Sequence, residues 1–276
     1  MIRVPSAPRP SASCIAQLTT WQKDIDALTD HKSQVLLAKD LFGRKNIKAN
    51  QTFNTIKDIL TSHCQGSRRC AYCEDSIADE VEHIRPKDHF PSLCFVWTNY
   101  VYACGTCNGP KRNKFAMFTG SDHTLVRYGD RAWPKHAAPP IGKDVMINVR
   151  SEDPFDFGLL DLTSMIFVPL DETGGLGAQR FTYTFEEVLN LNHREQLTKA
   201  RHNAFTGFRD RLRAYVSEKE KDPCSLVLPN IIAGIQGMGH QTVWCEFKRY
   251  SREGWLAKAN PELKDLFDRA PEALGW

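Results

Sequence analysis

The sequence predicts an α+β protein, a mainly α-helical chain carrying one small zinc-stapled unit. Apolar residues recur at helical spacing over 12–64 and again from 184 onward. Two Cys-x-x-Cys pairs stand thirty residues apart, and an aromatic, β-branched run leads into the second pair as a strand would. With 276 residues, 41% hydrophobic and 25% charged, the chain is long enough for one or two domains with a sizeable core. That composition excludes disordered, coiled-coil and collagen-like classes. No stretch reaches the roughly 18 apolar residues of a membrane span. The first thirty residues lack the apolar segment of a secretory signal, so a cytoplasmic location is expected. A net charge of +3 points to no partner by itself.

Residues 1–64 form a helical region. Its stripes are Ile15, Leu18, Trp21, Ile25 and Leu28, then Val35, Leu36, Leu37 and Leu41, then Phe53, Ile56, Ile59 and Leu60. They give two or three helices leading into the zinc unit at 65–120. There Cys70, Cys73, Cys104 and Cys107 have the spacing of a closed tetrahedral zinc site, each pair supplying one edge. The alternative use of these cysteines is as redox pairs or small buried apolar groups. Cys14, Cys64, Cys94, Cys224 and Cys245 have no such pattern and read as core or surface thiols, Cys64 lying near enough to the first pair to exchange with it.

Between the pairs, Val81 and His83 alternate with Glu82 and Ile84 as a short strand ended by Pro86. Tyr100–Ala103 suits a second strand, and Pro110 suits the first turn of a helix after Cys107. Residues 121–180 are loop-rich with short apolar runs at Val145–Val149 and Met165–Leu170, and 171–177 reads as a turn or mobile loop. Residues 181–276 are helical again, with Thr184 and Glu187 as a capping box. A long helix over about 193–220 carries Arg194, Lys199, Arg201, Arg209, Arg211 and Arg213, giving 193–213 a net charge of +4. That face suits either a nucleic-acid backbone or plain solvent.

The runs Cys70-x-Tyr72-Cys73-Glu74, Glu82-His83-Ile84-Arg85-Pro86-Lys87, Trp97-Thr98-Asn99-Tyr100 and Cys104-x-x-Cys107-Asn108-x-x-Lys111 resemble the zinc-bound HNH, or His-Me finger, endonucleases. His83, Asn99 and Asn108 match the three motif positions, at steps of 16 and 25 residues from His83. The resemblance implies a ββα-metal finger that hydrolyses phosphodiester bonds. His83 would be the general base, Asn99 would hold the loop that orients it, and Glu82 and Asn108 would ligate a catalytic Mg²⁺ or Mn²⁺ beside the structural Zn²⁺. Family members more often carry Asp or His where this chain has Glu82. Arg85, Lys87, Lys111, Arg112 and Lys114 are candidate phosphate contacts or solvated charges. His31, His63 and His89 have no such frame and read as surface or structural residues.

Further runs look similar to the PtuB family, the HNH subunit of Septu-type and some retron-linked anti-phage systems. They include Met1-Ile2-Arg3, Ser92–Trp97, Glu152-Asp153-Pro154, Leu191-Asn192 and Gln241–Trp244. This implies an effector nuclease acting on DNA, with RNA also possible, beside an ABC/SMC-like ATPase partner (PtuA-like) that the C-terminal helices could bind. The chain has no phosphate-binding loop of its own. The competing readings are a non-catalytic zinc scaffold and a stand-alone HNH restriction-type enzyme.

Overall fold

The computed structural model describes residues 1–128 and 137–276, so part of the loop-rich region lies outside the described residues. Three helices open the chain: α1 (Ala12–Asp26), α2 (His31–Lys45) and α3 (Gln51–Ser62). Each starts on a side chain that accepts an otherwise unpaired backbone N–H. Ser11 takes that of Cys14, Asp30 that of Ser33 and Asn50 that of Phe53. Each cap contributes on the order of 1 kcal/mol. The three helices pack onto the segment between the cysteine pairs. Trp21 stacks on Phe53 at 5.9 Å, and both rings meet Phe95 of that segment.

Strand β1 (Glu80–His83) pairs antiparallel with β2 (Tyr100–Ala103), from Glu80 opposite Ala103 to His83 opposite Tyr100. These two strands make a complete sheet, so the outer edge of β1 has no neighbouring strand among the described residues. Alternation then divides the ribbon between two cores. Val81, Tyr100 and Tyr102 join the apolar cluster of α1–α3. Val101 and Ala103 join a larger cluster built with the four cysteines and the C-terminal half of the chain.

Helix α4 (Gly105–Lys111) follows β2 directly. It starts earlier than the sequence suggests, because the backbone of the second knuckle is itself the first turn: Cys107 and Asn108 both donate to the Cys104 carbonyl. Pro110 therefore lies in the last turn, not the first. A three-stranded sheet comes next, ordered β4 (Thr124–Tyr128), β3 (Phe115–Thr119), β5 (Lys143–Asp144). Its hairpin straddles the 120/121 boundary set from sequence. A second ribbon pairs β6 (Gly158–Leu160) with β7 (Phe167–Pro169).

The segment 171–177 is a turn only as far as Gly175; α5 (Leu176–Phe181) begins inside it. Thr184 is not a cap. The chain is already helical when it arrives, continuing through a wide-turned stretch at Thr182–Val188, and the Thr184 hydroxyl is used by the Ile147 N–H at 3.0 Å. Helix α6 (Glu195–Lys221) then buries Leu197, Ala204, Phe208, Leu212 and Tyr215 along one stripe. It packs with α7 (Leu228–Gln236), α8 (Gln241–Arg252) and α10 (Pro261–Arg269), the short α9 (Leu256–Ala259) linking the last two. Among the described residues no helix is long and apolar enough to cross a membrane.

The basic residues of α6 form no continuous stripe. Arg201 is buried, donating to the carbonyls of Met165 and Leu191. Arg213 and Arg209 pair with Asp210, Arg213 also with Glu262, and Lys199 with Glu195. The solvated-face reading of this helix is the one its side chains favour.

Glu246 on α8 is fully buried. It accepts the Leu160 N–H at 2.8 Å, and burial pushes its pKa up to about 7. A carboxyl that holds its proton longer in the folded chain than in the unfolded one loses stability as pH rises from about 4.5 to 7. Urea denaturation should therefore show the parent weakening across that window by at most about 3 kcal/mol. Glu246→Gln should flatten the slope, and parallel curves would contradict the assignment.

Candidate functional site

The four cysteines that sequence spacing selects come together. The sulfurs of Cys70, Cys73, Cys104 and Cys107 lie within 4.8 Å of one another, all buried, and Cys73 and Cys104 are 3.8 Å apart. A tetrahedral zinc with bonds of about 2.3 Å needs sulfurs roughly 3.8 Å apart, so the donor set and spacing fit a structural zinc. Hydrogen bonds from the neighbouring Cys104, Cys107 and Cys70 thiols hold Cys73 well below the ordinary thiol range. The Tyr72 N–H points at the Cys70 sulfur, and Arg194 donates to the Cys107 sulfur at 3.2 Å. Of the five other cysteines none joins the cluster; the Cys64 thiol bonds the Leu60 carbonyl instead.

By sequence Arg194 belongs to a candidate nucleic-acid face. Its charge instead sits against one of the four clustered sulfurs, eighty-seven residues away in the chain. No local pattern links the two positions. Glu74, just past the first knuckle, is also buried and accepts from the backbone N–H and hydroxyl of Thr242 at the start of α8. The centre is thereby tied to the C-terminal half from two sides.

Beside it, a groove of about 720 Å³ runs along the free edge of β1. Glu82 and His83 are strand neighbours and face opposite sides, yet both line the groove because it wraps that edge. On one side Glu80 and Glu82 face α4. Glu80 accepts from the Asn108 amide at 2.6 Å. Glu82 is only 4% exposed and forms an ion pair with Lys111, which is 0% exposed and also donates to the His83 carbonyl at 2.8 Å. Burial raises the Glu82 pKa, against the opposing pull of Lys111.

On the other side His83 packs edge-on against Phe42 of α2 and Tyr100, with ring centroids at 4.5 and 5.2 Å. Its Nε2 donates to the Cys94 carbonyl at 2.9 Å, since a carbonyl can only accept. Burial, then the nearby Lys87 charge, pushes the His83 pKa down to about 3, so the ring is neutral. Asn99 braces the loop carrying Cys94. Its Oδ1 accepts the Arg85 N–H, and its Nδ2 donates to the carbonyls of Arg85 and Leu93.

The candidate phosphate contacts divide. Lys111 is a correction: a buried lysine paired to Glu82 cannot reach a ligand's phosphate at the surface. Arg85 makes a two-pronged pair with Asp144 of β5 at 2.7 and 2.8 Å, so it ties sheets together. Lys87 rests over the Phe42 ring and lines the groove with Arg112; Lys114 is half-buried and does not line it. Sequence reasoning misses Glu80, although its two-residue step from Glu82 puts both on one strand face. His63 and His89 are structural, bonding the carbonyls of Pro8 and Asn113, and His31 bonds that of His89.

No family model matches the chain, and no solved structure matches it. One stretch of 50 residues is 40% identical to the Septu protein PtuB of Bacillus thuringiensis. The chain is similar to PtuB. The stretch covers 16% of this chain and 20% of the PtuB chain.

The purified chain should contain one zinc, and Cys73→Ser should release it with a fall in melting temperature. Arg194→Ala should keep the fold but weaken zinc retention against a chelator by about 10- to 100-fold, the usual effect of losing a residue that orients a ligand. Unchanged zinc release would show that Arg194 contributes nothing to the centre.

Proposed function

We propose that the chain is a metal-dependent endonuclease of the HNH type, hydrolysing phosphodiester bonds of nucleic acid as the effector of a Septu-like anti-phage complex. The observation that carries this reading is the setting of His83. A neutral imidazole whose Nε2–H is fixed on a backbone carbonyl presents Nδ1 as its lone pair, and it does so at the edge of an open groove. Asn99 and Tyr100 hold that geometry. Asn99 pins the loop, and the Tyr100 hydroxyl donates to the same Cys94 carbonyl at 2.6 Å. A phosphate entering the groove brings negative charge that raises the imidazole pKa toward the working range, so the base strengthens as substrate binds.

Glu80, Glu82 and Asn108 are hard oxygen donors on the opposite side of the same strand edge, and they would hold a Mg²⁺ or Mn²⁺ ion. Such an ion, when bound, supplies Lewis-acid stabilisation of the phosphate and of the departing oxygen. Lys111 keeps the Glu82 carboxylate in place and pins the His83 carbonyl, joining the two halves of the site without touching substrate. The order of strand, loop, strand and helix, and the partial likeness to PtuB, support the same reading. An ATPase partner and a preference for DNA over RNA rest on the family resemblance alone.

Cleavage of plasmid DNA or RNA with Mg²⁺ or Mn²⁺ should be abolished in His83→Ala, with zinc content as in the parent and the chain still folded, though melting lower because a buried ring is lost. A variant that cuts equally well would remove His83 from the mechanism. Glu80→Gln should raise the Mg²⁺ concentration needed for half-maximal rate. A purely scaffolding role predicts no divalent-dependent cleavage by the parent or the variants, with or without an added ATPase partner.

A further inference from the structure

The groove beside β1 has a wall that the zinc-bearing unit does not build. Lys39, Phe42 and Asn46 of the α2 end and Lys57 of α3 line it, facing Asn108 and Arg112 across the strand edge. Its charges are sorted. Three of the acidic groups, Asp79, Glu80 and Glu82, follow the strand, while basic groups stand to either side and Asp88, off the strand, sits against Lys39. Lys39 is committed to Asp88 at 3.0 Å. Lys57 differs: among the described residues no carboxylate pairs with it. It is half-buried in the middle of α3, and Lys48 adds a like charge. Burial first and Lys48 second lower its pKa. An ammonium held half out of water beside another cation gains from an anion placed against it.

We propose that α2 and α3 supply a second phosphate-binding wall of this groove, with Lys57 contacting the sugar–phosphate backbone of the bound nucleic acid. This rests on the nuclease reading for the identity of the ligand. The sorting of charge favours a polyanion over a single small anion. A cation-binding acidic line with cations on both flanks suits a strand whose successive phosphates lie on and beside that line. Arg112, at the end of α4, and Lys57 would then touch phosphates on opposite sides of the strand edge. The N-terminal helices thus take part in substrate capture besides packing against β2.

The test is binding by the full chain, zinc retained and no other divalent ion added, to labelled single-stranded DNA, duplex DNA and RNA oligonucleotides of one sequence. Lys57→Ala keeps helix propensity high and touches neither the zinc centre nor the core. It should weaken affinity several-fold for whichever oligonucleotide the parent binds and reduce the slope of log affinity against log salt by about one. Lys57→Arg should restore most of both. Unchanged affinity and slope in Lys57→Ala would overturn the proposal, as would a parent that binds none of the three probes. The two readings fail separately. Loss of binding in Lys57→Ala without any Mg²⁺-dependent cleavage by the parent sinks only the nuclease, and His83-dependent cleavage with Lys57→Ala binding normally sinks only the second wall.

Discussion

Four sulfurs gathered within a few ångströms are the constraint on which the rest of the structure depends. Such a cluster cannot hold several thiolates without a cation among them, since like charges at that range repel strongly in a poorly solvated interior. A metal fits the spacing, and held there it would act beyond the sulfurs. Cys104 and Cys107 sit at the start of α4, which carries Asn108 and Lys111, and Cys70 and Cys73 precede β1, so one ion would fix both. The ribbon between them is too small to bury a core of its own, so it borrows two, one from each half of the chain.

A buried lysine then joins the elements that the four cysteines flank. Lys111 reaches from α4 to the Glu82 carboxylate and the His83 carbonyl, so the two faces of β1 share one partner. Removing one member of a fully buried pair leaves an uncompensated charge at a cost of about 3–5 kcal/mol. The arrangement is therefore stiff. Several other cations nearby are likewise occupied: Arg85 by Asp144, Lys39 by Asp88, Arg194 by the Cys107 sulfur. A chain with a net charge of only +3 leaves few positive groups over, and their position matters more than their number.

Much of this is legible in the sequence where the signal is local. The Cys-x-x-Cys spacing names all four sulfurs, helical stripes mark α1–α3, alternation marks β1, and an aromatic, β-branched run marks β2. The features that sequence hides depend on partners far along the chain. Lys111 looks like any lysine in a basic run until Glu82 is folded over it. Arg194 belongs by periodicity to a charged helix, yet its guanidinium turns back to a cysteine. Thr184 has the spacing of a capping box, but the chain enters it already helical. The neighbouring Glu82 and His83 look incompatible on one flat strand. An unpaired edge reconciles them, and edges are a property of sheet topology that no window of residues reveals.

That open edge carries a risk of its own. An unpaired strand is a template for another strand, and long flat edges invite chains to add to one another. Here the unpaired strand is four residues long, three of them buried, and is followed within three by Pro86. Carboxylates flank it, and the His83 carbonyl is already taken by Lys111. These features shorten and blunt the edge as a template for a foreign strand. The same edge stays open to the groove, where a ligand can approach it from the side.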